Sequence, residues 1–168
     1  MKTYLLILVV SFITFSSVAQ KAEFGRWDGV LSTSGGGFNL TKGNFNTMFI
    51  SIAPGYRCNE HFSIRAVGEV QVGLFPAHLY KTQVTLGMNV GYRIIPAVEL
   101  NASIGSTIVN EDKWNFVYYD VNGRWFLSER TPNFFIGAGL RYQQMYHRQY
   151  RDRLPIYASF GWRFNSAK

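Results

Sequence analysis

His61 and Ser63 stand two residues apart, with Glu60 beside them. At that spacing an imidazole can take a proton from a hydroxyl and make it a nucleophile. A larger set is ionic. Arg26, Arg57, Arg65, Lys81, Arg93, Arg141 and Arg163 occupy the polar side of alternating segments that also carry Asp28, Glu69 and Glu99. Guanidinium forks match carboxylates geometrically, so such a set can bridge neighbouring strands; Arg65, Glu69, Arg93 and Glu99 are the expected paired members. A third group is the run Tyr146-His147-Arg148-Gln149-Tyr150-Arg151-Asp152-Arg153. Arg148, Arg151 and Arg153 with Tyr146 and Tyr150 suit phosphate oxygens at a lipid headgroup or an acidic partner. Metal and cofactor chemistry find no support. His61, His78 and His147 lie in separate connections, Cys58 is the only cysteine, and Gly35-Gly36-Gly37 lacks the lysine of a phosphate loop.

The elements that must position these groups follow from the rest of the chain. Of 168 residues, 16% are charged and 17% aromatic, with 16 glycines and a formal net charge of +7. Low charge and abundant aromatics exclude a disordered polar chain, and one cysteine excludes a disulfide scaffold. Met1-Lys2-Thr3, an apolar run from Tyr4, and Ser17-Val18-Ala19 form the tripartite pattern of a cleaved export signal over residues 1–19. At roughly 12 residues the run is short for a membrane-spanning helix of about 20. The positive charge is scattered along an exported chain, which argues against nucleic acid. Residues 20–168 then make one domain.

Its dominant period is two. Met48, Ile50 and Ile52 alternate with Thr47, Phe49 and Ser51. Phe62 to Leu74, Val84 to Tyr92, Val98 to Ile108, Phe134 to Tyr142 and Ile156 to Phe164 behave alike. Phe24 to Thr33 adds a first strand, followed by a loop from Ser34 to Phe45. Residues 114–127 read either as one bulged strand or as a small hairpin at Asn122-Gly123. Taken as one strand, it carries Trp114, Phe116 and Tyr118 on its apolar face, and the total is eight.

Which face is inside follows from composition. The polar face is built from Gly, Ser, Thr, Asn and Gln rather than from Lys and Glu. Gly55, Gly73, Gly87, Gly91, Gly105, Gly137, Gly139 and Gly161 all fall on it, where a crowded interior needs small residues. The segments are about twice the usual globular strand and match the 9–11 residues of a tilted transmembrane strand. Tyr56, Tyr92, Phe62, Trp162 and Phe164 gather at one end of the apolar band, and Tyr142, Trp114 and Tyr80 at the other, as aromatic girdles do. The expected fold is all-β, an eight-stranded antiparallel up-and-down transmembrane barrel with its apolar face outward. An excess of four interior cations would suit an anion-preferring pore. Eight strands, however, enclose little more than their own side chains, so a filled lumen is expected.

Gly55-Tyr56-Arg57-Cys58-Asn59-Glu60-His61-Phe62-Ser63-Ile64 resembles the strand–turn–strand of small outer-membrane barrels of the OmpX/OmpA-like superfamily. Thr131 to Tyr142 is similar to their seventh strand, and Phe160-Gly161-Trp162-Arg163-Phe164 to their aromatic closing strand. The resemblance is architectural and implies the outer membrane of a Gram-negative bacterium; the leading expectation is a non-enzymatic barrel that serves structurally or binds through its extracellular loops. Outer-membrane lipids, lipopolysaccharide included, are the expected partners, with an outer-membrane protein partner as a further one. Three other readings stay open: an accessory subunit of a larger complex, with Phe116 and Tyr118 as contacts; a lipid A-modifying enzyme using His61 and Ser63; and a soluble periplasmic ligand-binding barrel.

Overall fold

The computed structural model describes residues 27–39, 46–59, 61–75, 82–108, 115–127, 133–147 and 150–165. The expected signal and Arg26, Tyr80, Lys81, Trp114 and Arg148 lie outside them. The strands are β1 (Asp28–Asn39), β2 (Asn46–Ala53), β3 (Gly55–Arg57), β4 (Phe62–Phe75), β5 (Gln83–Ile95), β6 (Val98–Thr107), β7 (Phe116–Phe126), β8 (Asn133–Met145) and β9 (Pro155–Asn165). Strands next to each other in sequence pair antiparallel, except that β2 and β3 both pair with β4, and β1 closes the sheet against β9. Pro54, which has no N–H to donate, separates β2 from β3. Both flank β4, and Ala66 N donates to Pro54 O at 2.9 Å across the gap. The two therefore act as one stave, and the barrel has eight.

The alternating residues divide as expected. Leu86, Met88, Val90, Leu100, Ile104, Ile136 and Phe160 point outward and are exposed. Arg65, Glu69, Asn89, Glu99, Arg141 and Arg163 point inward and are buried. The sheet is thus inside-out relative to a soluble barrel, with an unbroken apolar exterior far larger than the isolated patches that water tolerates. Inward glycines make room for the filling. A Cβ on Gly105 would lie 2.5 Å from the Tyr118 ring, and one on Gly139 would lie 2.5 Å from that of Tyr157.

Three expectations need correction. β1 runs to Asn39, six residues into the segment read as a glycine-rich loop; its pairing with β9 shifts register between Gly35 and Phe38, and glycine accommodates such a bulge. β7 is one continuous strand without a bulge; Asp120, Val121, Asn122 and Gly123 are paired on both sides, so no hairpin forms there. Its phase is also opposite to the one expected. Phe116 and Tyr118 are 1% and 0% exposed and fill the lumen, while Tyr119, Val121 and Trp125 face out. Asp120, Asn122 and Arg124 share the parity of Phe116, and turning that face to hydrocarbon would strand two charges in lipid.

Candidate functional site

The lumen holds two ionic networks. In the one nearer the start of β1 and the end of β9, Asp28 from β1 accepts hydrogen bonds from Arg65 Nε at 2.9 Å and Arg163 Nε at 2.5 Å. Arg57 Nη2 lies 3.8 Å from the same carboxylate. Glu99 from β6 takes Arg65 Nη2 at 3.1 Å and a close bond from Arg163 Nη2, and Arg124 Nη1 stands 3.5 Å away. Arg65 Nη1 donates to Asn89 Oδ1 at 2.9 Å and Asn101 Oδ1 at 3.0 Å, so one guanidinium touches three strands besides its own. Phe126 and Phe135 pack edge to face beneath, with ring centroids 5.6 Å apart.

The second network lies nearer the other end. Arg141 from β8 grips Glu69 with Nη1 at 2.5 Å and Nη2 at 2.9 Å, and donates from Nε to Asp120 at 2.8 Å. Tyr157 Oη at 2.7 Å and Asn122 Nδ2 at 2.8 Å complete the Asp120 carboxylate. The Arg141 guanidinium also lies 4.2 Å from the Phe49 ring centroid and 4.4 Å from that of Tyr118. Such contacts are worth most when desolvated. Above it, Gln143 Nε2 donates to Gln71 Oε1 at 2.9 Å, and Phe116, Tyr118 and Met145 pack with Tyr150 against them. Between the networks, Glu69, Asn89, Ser103, Arg124, Arg141 and Tyr157 help line a cavity of about 30 Å³, polar and roomy enough for ordered water.

Of the four residues expected to pair, Arg65, Glu69 and Glu99 lie in these ion pairs. Arg93 stands in register with Glu99, but its guanidinium turns to the Phe126 ring, 5.8 Å from the centroid. A register shift between Arg93 and Ile95 lies beside it at the strand's end. Two members went unread in the sequence, Asp120 and Arg124, because β7 was assigned the wrong face. Their own parity with Asn122 was the available signal.

The last connection is more folded than its composition suggests. Asp152 accepts from Tyr142 Oη at 2.5 Å and Met145 N at 3.0 Å, drawing the segment back over the barrel. Arg153 exchanges backbone hydrogen bonds with Gln143 at 2.8 and 3.0 Å and is buried. Tyr150 is half-buried against the lumen filling. Tyr146 and Arg151 are exposed, and Tyr146 Oη shares a 2.8 Å hydrogen bond with Ser106 on the outer wall. Of the five residues expected at a phosphate-binding surface, two therefore present themselves there, two turn inward, and Arg148 lies outside the described residues.

At the opposite end, His61 Nδ1 pairs with Arg93 O at 2.9 Å and its ring stacks on Tyr92, while Ser63 Oγ faces Gly91 O at 3.5 Å from a buried position. Imidazole and hydroxyl are each engaged with a different partner. Among the described residues no group of three His, Cys, Asp or Glu is arranged to hold a metal.

These features can be set against known proteins. No protein-family model and no curated protein matches the chain. Solved structures do. A de novo designed transmembrane β-barrel superposes with a TM-score of 0.55 at 12% identity, over 82% of this chain and 95% of its own. The N-terminal β-barrel domain of Pseudomonas aeruginosa OprF gives a TM-score of 0.51 at 12% identity, over 83% of this chain and 98% of its own. The fold is that of small outer-membrane-type barrels.

Proposed function

We propose that this protein is a non-enzymatic outer-membrane β-barrel of a Gram-negative bacterium, exported through a cleaved signal. It serves as a structural element of the membrane or through its loop end. The observation that carries this reading is the inversion of the barrel: exposed aliphatic and aromatic side chains outside, and a cross-linked ionic filling inside. Hydrocarbon is the solvent in which such an exterior is favourable, since burying each apolar side chain is worth about 1.5–3 kcal/mol. A lumen crossed by the Arg65, Arg141 and Arg163 bridges is a strut rather than a channel. The short connections between β3 and β4 and between β5 and β6 lie at the end where β1 begins and β9 ends, as periplasmic turns do in such barrels. Tyr146 and Arg151 then meet the outer-leaflet headgroups, where a tyrosine ring and a guanidinium suit lipopolysaccharide phosphates.

Membrane fractionation tests the reading. The mature chain should remain with the outer membrane through carbonate washing and leave it only with detergent. Recovery in the soluble periplasmic fraction would sink the proposal. Replacing Arg151 and Arg148 with Gln should weaken retention of lipid A in a salt-dependent way without altering the folded fraction.

A further inference from the structure

Among the described residues, the end of the lumen where β1 begins and β9 ends carries more positive charge than its carboxylates can meet. Arg57, Arg65, Arg93, Arg124 and Arg163 converge there on Asp28 and Glu99. Register enforces the crowding: Glu99 stands directly between Arg93 and Arg124 on adjacent strands. Arg163 reaches both acids, and the Arg93 and Arg163 guanidiniums share the Phe126 ring, at 5.8 and 4.6 Å from its centroid. The carboxylate oxygens are taken chiefly by Arg65 and Arg163. What remains is a set of buried donors that make no hydrogen bond: Arg163 Nη1, Arg124 Nη1, Arg93 Nε and Asn101 Nδ2. Arg163 is 1% exposed and Asn101 2%. Glu99 Oε1, also without a hydrogen bond, offers Arg124 only an ion-pair contact at 3.5 Å.

The second network also has buried hydroxyls without a hydrogen bond, Tyr118 Oη and Thr85 Oγ1, but no surplus of guanidinium among the described residues. There one arginine serves two carboxylates, and Tyr157 and Asn122 supply the missing donors. A surplus of buried guanidinium is costly unless something accepts its N–H groups and offsets its charge.

We propose that this end of the lumen binds a small inorganic anion, held by N–H groups of Arg93, Arg124 and Arg163 that make no hydrogen bond, with Asn101 as a neutral donor. Arg93 is partly exposed and the Arg57 side chain is 20% exposed, so the site opens to the water beneath the barrel. The Arg141 bridges close the lumen beyond it, and the anion leaves by the way it entered. Chloride and phosphate share the required chemistry.

The test uses the full mature chain refolded in zwitterionic detergent, with chloride NMR line width read as gluconate is replaced by chloride at constant ionic strength. The expected result is a saturable excess broadening that the R93Q/R124Q variant loses, since that variant keeps Arg65 and Arg163 on both acids. Should the double variant not fold, R93Q alone is expected to raise the half-saturating chloride concentration several-fold. Displacement of chloride by added phosphate would identify an oxyanion site, and its persistence a halide site. Broadening that is linear in chloride, or that is unchanged in the variants, would overturn the proposal and leave water as the acceptor of those N–H groups.

Discussion

Met88 lies midway along β5, 58% exposed, registered against Ala66 on one side and Ile104 on the other. None of these neighbours offers a charge, so an arginine placed there must reach an interface to find water or phosphate. The apolar band of such a barrel is about 25 Å tall, leaving roughly 12 Å to either interface from its middle. Ile94, 50% exposed, stands on the same outward face six residues further along the strand. Six residues advance about 20 Å along the strand, or about 15 Å along the membrane normal at a tilt near 40°. Ile94 therefore sits at or beyond the interface. Arginine costs about 2–4 kcal/mol at the midplane and about 0–1 near the interfaces. Met88→Arg should thus destabilise the folded barrel by about 3 kcal/mol and Ile94→Arg by less than about 1 kcal/mol. Both follow from reversible guanidinium titration in phosphatidylcholine vesicles, read by tryptophan fluorescence. Equal effects at the two sites, or a neutral Met88→Arg, would refute the assignment of this face to hydrocarbon.

Other consequences follow from the interior. Glu69→Gln leaves Arg141 with a single charged partner in a buried site, and should cost about 3–5 kcal/mol in the same titration; combining it with Arg141→Met should recover part of that loss. Gly105→Ala forces a methyl group against the Tyr118 ring and should cost about 1–3 kcal/mol, an effect that Tyr118→Leu in the same chain should reduce. Planar-bilayer recordings of the pure protein should show no steady conductance, because the Arg65, Arg141 and Arg163 bridges cross the lumen; a large, stable, anion-selective current would contradict a filled interior.

Much of the barrel was legible in residue order, because a strand exposes its two faces at a period of two and the solvents on those faces differ. Met48 to Ile52, Phe62 to Val72 and Ile156 to Phe164 declare their outward side by carrying only apolar groups on it. The glycines opposite announce a crowded interior before any partner is known. The face of β7 was not read correctly, since aromatics occupy both parities at Phe116, Tyr118 and Tyr119; the charges of Asp120 and Arg124 were the better guide. Which ion pairs form was beyond residue order altogether. Glu69 and Arg141 are 72 residues apart and meet across the lumen, whereas Arg93 and Glu99, close in sequence and level in register, do not form the pair expected of them. Barrel closure decides this. It brings side chains from opposite walls within hydrogen-bonding distance, and each carboxylate goes to the guanidinium whose geometry and burial suit it best. The alternation of residues determined the wall and its two solvents; only the closed tertiary structure decided how the interior is wired, and that it leaves unspent positive charge at one end.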